Sequence, residues 1–114
     1  MEITTRLAKG ATVLTLKGDL NFGARPVFKA AIDKAIASKS PHVILNLEGV
    51  AFMDSAALGL LVLTHQNCKK EHVRLSLVKP QTAVQAVLNL ANIPKMIPIF
   101  ATENEALSAT PVGV

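Results

Sequence analysis

Along the 114-residue chain, apolar positions alternate with a period of two in some stretches and of three to four in others. Glu2-Ile-Thr-Thr-Arg-Leu-Ala8 and Ala11-Thr-Val-Leu-Thr-Leu-Lys17 alternate or run β-branched, with Lys9-Gly10 between them, which predicts a hairpin. From Pro26, Phe28, Ala31, Ile32, Ala35 and Ile36 recur at helical spacing, and Lys29 pairs with Asp33 at i,i+4; this helix ends near Ser38, ahead of Pro41. His42-Val-Ile-Leu-Asn-Leu47 reads as a short buried strand followed by a turn over residues 48–51. A second helix, apolar almost all round, follows Asp54-Ser55 and ends at Lys69-Lys70, whose charges suit a helix C-terminus.

Val73–Val78 alternates again. A third helix begins after Pro80, repeats Val84, Val87, Leu88 and Ala91, and stops at Asn92 with Pro94 behind it. Met96–Phe100 is restricted by Pro98 to a short or edge strand, and Thr102 caps a last helix over Glu103–Ser108. The order β-β-α-β-α-β-α-β-α predicts a single α/β domain over residues 1–108, with about five strands and four helices and a frayed, flexible tail over 109–114. The sheet is mainly parallel, with right-handed crossovers and one antiparallel pair at its start. In open sheets of this kind the functional crevice lies at the carboxyl ends of strands, where the Asp54-Ser55 pair sits.

Composition narrows the function. No apolar run approaches the ~20 residues needed to span a bilayer, and no secretory signal pattern opens the chain, so a soluble cytoplasmic protein without direct membrane insertion is expected. The lone Cys68 and three scattered histidines, His42, His65 and His72, have no metal-ligand spacing, and no cofactor is implied. Twelve Lys and Arg against eight Asp and Glu give a net charge of +4. The basic residues are dispersed from Arg6 to Lys95 with no Trp or Tyr beside them, which argues against nucleic acid and leaves an acidic protein partner open.

Asp54-Ser55 carries the candidate chemistry. Asp and Ser are helix-capping residues, so a plain cap is one reading. A serine hydrolase is disfavoured: Met53-Asp-Ser-Ala-Ala57 lacks the glycines of a nucleophile elbow, and adjacent residues of a helical turn do not face each other. A phosphate-binding loop is absent, since neither Gly-x-x-x-x-Gly-Lys nor Gly-x-Gly-x-x-Gly occurs. A third reading makes Ser55 a phosphoryl acceptor, because the free N–H groups and dipole of a helix start tolerate a phosphoserine.

Val43-Ile-Leu-Asn-Leu-Glu-Gly-Val-Ala-Phe-Met-Asp-Ser-Ala-Ala-Leu-Gly59 resembles the signature of the STAS domain, named for sulphate transporters and anti-sigma factor antagonists. Leu16-Lys-Gly-Asp-Leu-Asn21 resembles that family's Gly-Glu-Leu-Asp element, and Lys79-Pro80 with Val84, Val87 and Leu88 resembles its third helix. The resemblance implies an anti-sigma factor antagonist, not an enzyme. Its Ser55 would be phosphorylated by an anti-sigma factor acting as a serine kinase and restored by a serine phosphatase, and only the unphosphorylated form would sequester the anti-sigma factor. By this resemblance Asp54, Ser55, Ala56, Ala57 and Asn21 form the partner-binding set. Ala56 replaces the family's second hydroxyl, which leaves Ser55 the only acceptor in the motif; Ala57 replaces a glycine and Asn21 a common Asp. The alternative within the family is a kinase-independent STAS scaffold subunit, such as that of a lipid-transport ABC complex.

Overall fold

The structure, a computed structural model, describes residues 1–109. Its sheet is built on the hairpin of β1 (Glu2–Ala8) and β2 (Ala11–Lys17), closed by Lys9 and Gly10 at φ 48° and 81°. Two successive positive φ angles give the turn whose twist matches that of its strands. The chain then runs through α1 (Arg25–Ala37), β3 (His42–Gly49), α2 (Ser55–Lys70), β4 (Arg74–Val78), α3 (Thr82–Leu90), β5 (Ile99–Phe100) and α4 (Glu103–Ser108). The strands lie in the order β1-β2-β3-β4-β5, antiparallel at β1/β2 and parallel thereafter. The mixed five-stranded sheet and four helices match the architecture expected from the periodicity.

Alternation divides the strands between two layers. Leu14, Leu16, Val43, Leu45, Leu47, Leu75 and Leu77 face the helices α1, α2 and α3, which bring Phe28, Ile32, Leu61, Val84 and Leu88 into one core. Ala11, Val13, Ile44 and Val78 face the other way, where Ala106 of α4 covers them. Glu103 on α4 ties this layer together: it accepts hydrogen bonds from Arg6 of β1 and, at 2.8 Å, from Asn46 of β3. The Arg6 guanidinium, followed by the Asn46 amide, holds the Glu103 carboxyl below its usual range.

Some boundaries depart from the simple pattern. Pro98 limits β5 to two residues, Ile99 and Phe100. β3 extends to Gly49, where a Cβ would lie 2.8 Å from the Leu16 carbonyl oxygen, so the absent side chain permits the shifted register between β2 and β3. Short 3₁₀ turns at Phe22–Ala24 and Ile93–Lys95 were not foreseen. Ala109, placed in the tail by its composition, has a carbonyl that accepts from Arg74 at 3.1 Å, and residues 110–114 lie outside the described residues.

His42 gives the α4-side layer a pH dependence. It is buried, its Nε2 lies 2.8 Å from the Ser76 hydroxyl, and burial followed by the nearby Arg74 charge lowers its pKa from 6.5 to about 4. Between those values the unfolded chain takes up a proton that the folded chain refuses, so stability falls as pH drops from about 6.5 to about 4. Urea titrations across that range should show a declining unfolding free energy in the parent and a flatter profile in His42→Gln, which can keep a bond to Ser76 but does not titrate.

Candidate functional site

Two loops leave the carboxyl ends of neighbouring parallel strands and stay paired beyond them. Gly18 N–H donates to the Gly49 carbonyl at 3.0 Å, Leu20 N–H to Phe52 at 3.0 Å, and Asp54 N–H to Leu20 at 3.3 Å. Leu20, Val50 and Met53 anchor these loops in the core. The pairing delivers two capping residues to one spot. The Asn21 Oδ1 accepts from Ala24 N–H at 3.1 Å and starts the 3₁₀ turn that leads into α1, while the Asp54 Oδ1 accepts from Ala57 N–H at 2.9 Å and starts α2. The second Asp54 oxygen accepts from Phe22 N–H at 3.2 Å, so one carboxylate joins both caps.

Ser55 is thereby fixed as the first residue of α2, and it is exposed. It stands at the positive end of a 16-residue helix dipole, in the turn whose backbone N–H groups lack intrahelical acceptors. Ser55 and Ala56 open toward different sides. A shallow cleft of about 370 Å³ beside α3 is lined by Met53, Ser55, Leu58, Val87 and Leu90, whereas a wider one of about 790 Å³ beside α1 is lined by Phe22, Arg25, Pro26, Ala56 and Leu63.

Of the five residues expected at the partner face, the structure brings Asp54, Ser55 and Ala56 together at the surface and sets the Asn21 loop against them. Ala57 is a correction. It is fully buried, because its position in the first turn points its methyl into the core beside Leu61, and only its N–H serves the site, bound to Asp54. Sequence reasoning overlooked the aromatics: Phe22 and Phe52 are 61% and 53% exposed and flank the paired loops. Arg25 lies 3.7 Å from the Phe22 ring centroid, and its Nε donates to the Phe22 carbonyl at 3.1 Å, which holds the ring at the surface. The available signal was two of the chain's four phenylalanines falling in the loops, Phe22 next to Asn21 and Phe52 two positions before Asp54.

The buried imidazole of His42 bonds Ser76 rather than Ser55. Burial pushes the Cys68 thiol up to about 11, outside the range of a reactive nucleophile. Among the described residues no group of three or more His, Cys, Asp or Glu could hold a metal ion.

The family model of the STAS domain matches residues 2–106, nearly the whole chain. The chain belongs to the STAS domain family. An anti-sigma F factor antagonist of Lysinibacillus sphaericus is 30% identical over 108 residues, covering 94% of this STAS chain and 89% of the relative. An anti-sigma factor antagonist from Mycobacterium paratuberculosis shares the fold with a TM-score of 0.84 at 22% identity, over 94% of this chain and 91% of that one. The antagonist SpoIIAA has been solved unphosphorylated, with TM-score 0.77, 26% identity and 93% of each chain covered. Its phosphorylated Bacillus form gives 0.69 and 25%, over 93% of this chain and 96% of that one.

Asp54 makes a direct test of the loop-joining geometry. Asp54→Ala should cost about 0.5–2 kcal/mol, since it removes a cap. Asp54→Asn should cost less, because its single acceptor oxygen can keep the cap but not the bond to Phe22 as well. Urea unfolding of both variants checks this ordering; parental stability in Asp54→Ala would show that the cap contributes nothing.

Proposed function

We propose that this STAS protein is an anti-sigma factor antagonist switched by phosphorylation at Ser55. The observation that carries the proposal is an exposed serine held as the first residue of α2 by the Asp54 cap, with the exposed aromatics Phe22 and Phe52 nearby. The names of its relatives support the antagonist role. In this reading Asp54, Ser55, Ala56 and Asn21, joined by Phe22 and Phe52, meet an anti-sigma factor that is also a serine kinase. The Ser55 oxygen attacks the γ-phosphorus of ATP bound to that kinase, ADP leaves, and the hydroxyl proton passes to a base of the kinase. A serine phosphatase hydrolyses the phosphoserine and restores the binding form.

The chain is therefore substrate and ligand, not catalyst, and this circuit places it in the cytoplasm. Among the described residues no helix is long and apolar enough to cross a membrane. Phosphorylation adds close to two negative charges at a helix start that accommodates them, so the fold persists while the surface beside Asp54 becomes more negative. Incubation with the cognate kinase and Mg-ATP, followed by phosphopeptide mapping, should find one phosphate, on Ser55. Modification at Thr82 or Thr102 with Ser55 untouched would overturn the assignment.

A further inference from the structure

The two edges of the sheet are unlike. β5 is blunted, two residues long and preceded by Pro98, which has no N–H to offer. β1 is seven residues long, contains no proline and keeps an unbroken register with β2 from Glu2 to Ala8. The two-residue turn makes Ala8 and Ala11 a hydrogen-bonded pair, so the even residues of β1 spend their backbone groups on β2. The N–H and C=O groups of Ile3, Thr5 and Leu7 consequently point out of the sheet.

Side chains along this edge are self-complementary. Ile3 is half-buried against the core, while Leu7, on the same face, is 78% exposed. In an antiparallel pair of β1 strands related by a two-fold axis at Thr5, Leu7 of each copy faces Ile3 of the other. Three exchanged residue pairs then supply about six hydrogen bonds. On the opposite face Glu2 comes diagonally near Arg6 of the second copy, within reach of long side chains. Arg6 is already paired with Glu103, which offsets the approach of the two guanidinium groups.

We propose that β1 is a self-association edge, through which two copies join their sheets antiparallel about Thr5. The inference does not depend on phosphorylation, and Ser55, which follows β3 two strands in from this edge, stays uncovered. Such an interface is smaller than the roughly 1,200 Å² of stable complexes, so dissociation constants of about 0.1–1 mM are expected. Sedimentation equilibrium on the full chain, from about 10 µM to about 1 mM, should show the average mass rising from 12.1 kDa toward twice that value.

Thr5→Pro removes an outward N–H that β2 does not use, so it should keep parental circular dichroism and remain at 12.1 kDa throughout. Leu7→Lys should weaken association at least tenfold and decides the matter if Thr5→Pro fails to fold. A parent that stays monomeric at every concentration, a folded Thr5→Pro that associates normally, or a Leu7→Lys that associates like the parent would overturn the proposal.

Discussion

Leu45→Ala should lower the unfolding free energy by about 2–5 kcal/mol, the range for truncating a fully buried leucine. Leu45 lies in β3, the middle strand, with Leu14 and Leu77 opposite it on β2 and β4, and it is 0% exposed. Its side chain belongs to the cluster shared with α1, α2 and α3. Hydrogen bonding to a strand on each side limits how far the backbone can close over the space left behind, so both the transfer and the cavity costs apply. For a domain of this size the loss corresponds to a melting temperature lower by roughly 10–20 °C. Leu63→Ala is the matched control: the same truncation at a side chain 59% exposed on α2 should stay within about 0.5 kcal/mol of the parent. Equal losses at the two positions would mean that the core has been assigned to the wrong residues.

Local signals made most of the fold legible. Lys9-Gly10 marked the hairpin, the period-two alternation marked β2 and β4, and Pro98 marked the end of pairing at β5. Asp54 as the cap of α2 and Thr102 as the cap of α4 followed from residue type and position alone. What escaped was either non-local or masked. The bond from Phe22 N–H to Asp54 spans 32 positions, and no short-range pattern encodes it. The bridging of Arg6 and Asn46 by Glu103 is equally remote in sequence.

Ala57 was masked by composition. Ala57, Leu61, Thr64 and Cys68 form the buried stripe of α2, but Leu58, Leu60, Val62 and Leu63 make the helix apolar on other faces too. The rotational phase was therefore hidden, and a core methyl was assigned to the surface. Asn21 shows the converse: its place in the motif was evident, yet its task as cap of a 3₁₀ turn depended on a turn too short to register as periodicity.

Ser55→Asp should bind the anti-sigma partner at least tenfold more weakly than Ser55→Ala. The helix start accepts the added charge, with about 0.3–1 kcal/mol of local compensation from the dipole. The partner has no corresponding allowance once the surface closes. Like charges or an unpaired charge desolvated in an interface cost several kcal/mol, and each ~1.4 kcal/mol is a factor of ten in affinity. Asp54 stands beside the new carboxylate and adds to the local negative charge. Both variants should retain parental circular dichroism, because Asp54 and Ala57 still form the cap and Ser55 is exposed.

Isothermal titration of the anti-sigma factor into folded Ser55→Ala and Ser55→Asp tests the switch most directly. Tight binding by Ser55→Ala with at least a tenfold loss in Ser55→Asp is the expected result. Equal affinities would contradict a charge-controlled binding face at Ser55 and reduce that serine to the first residue of a helix.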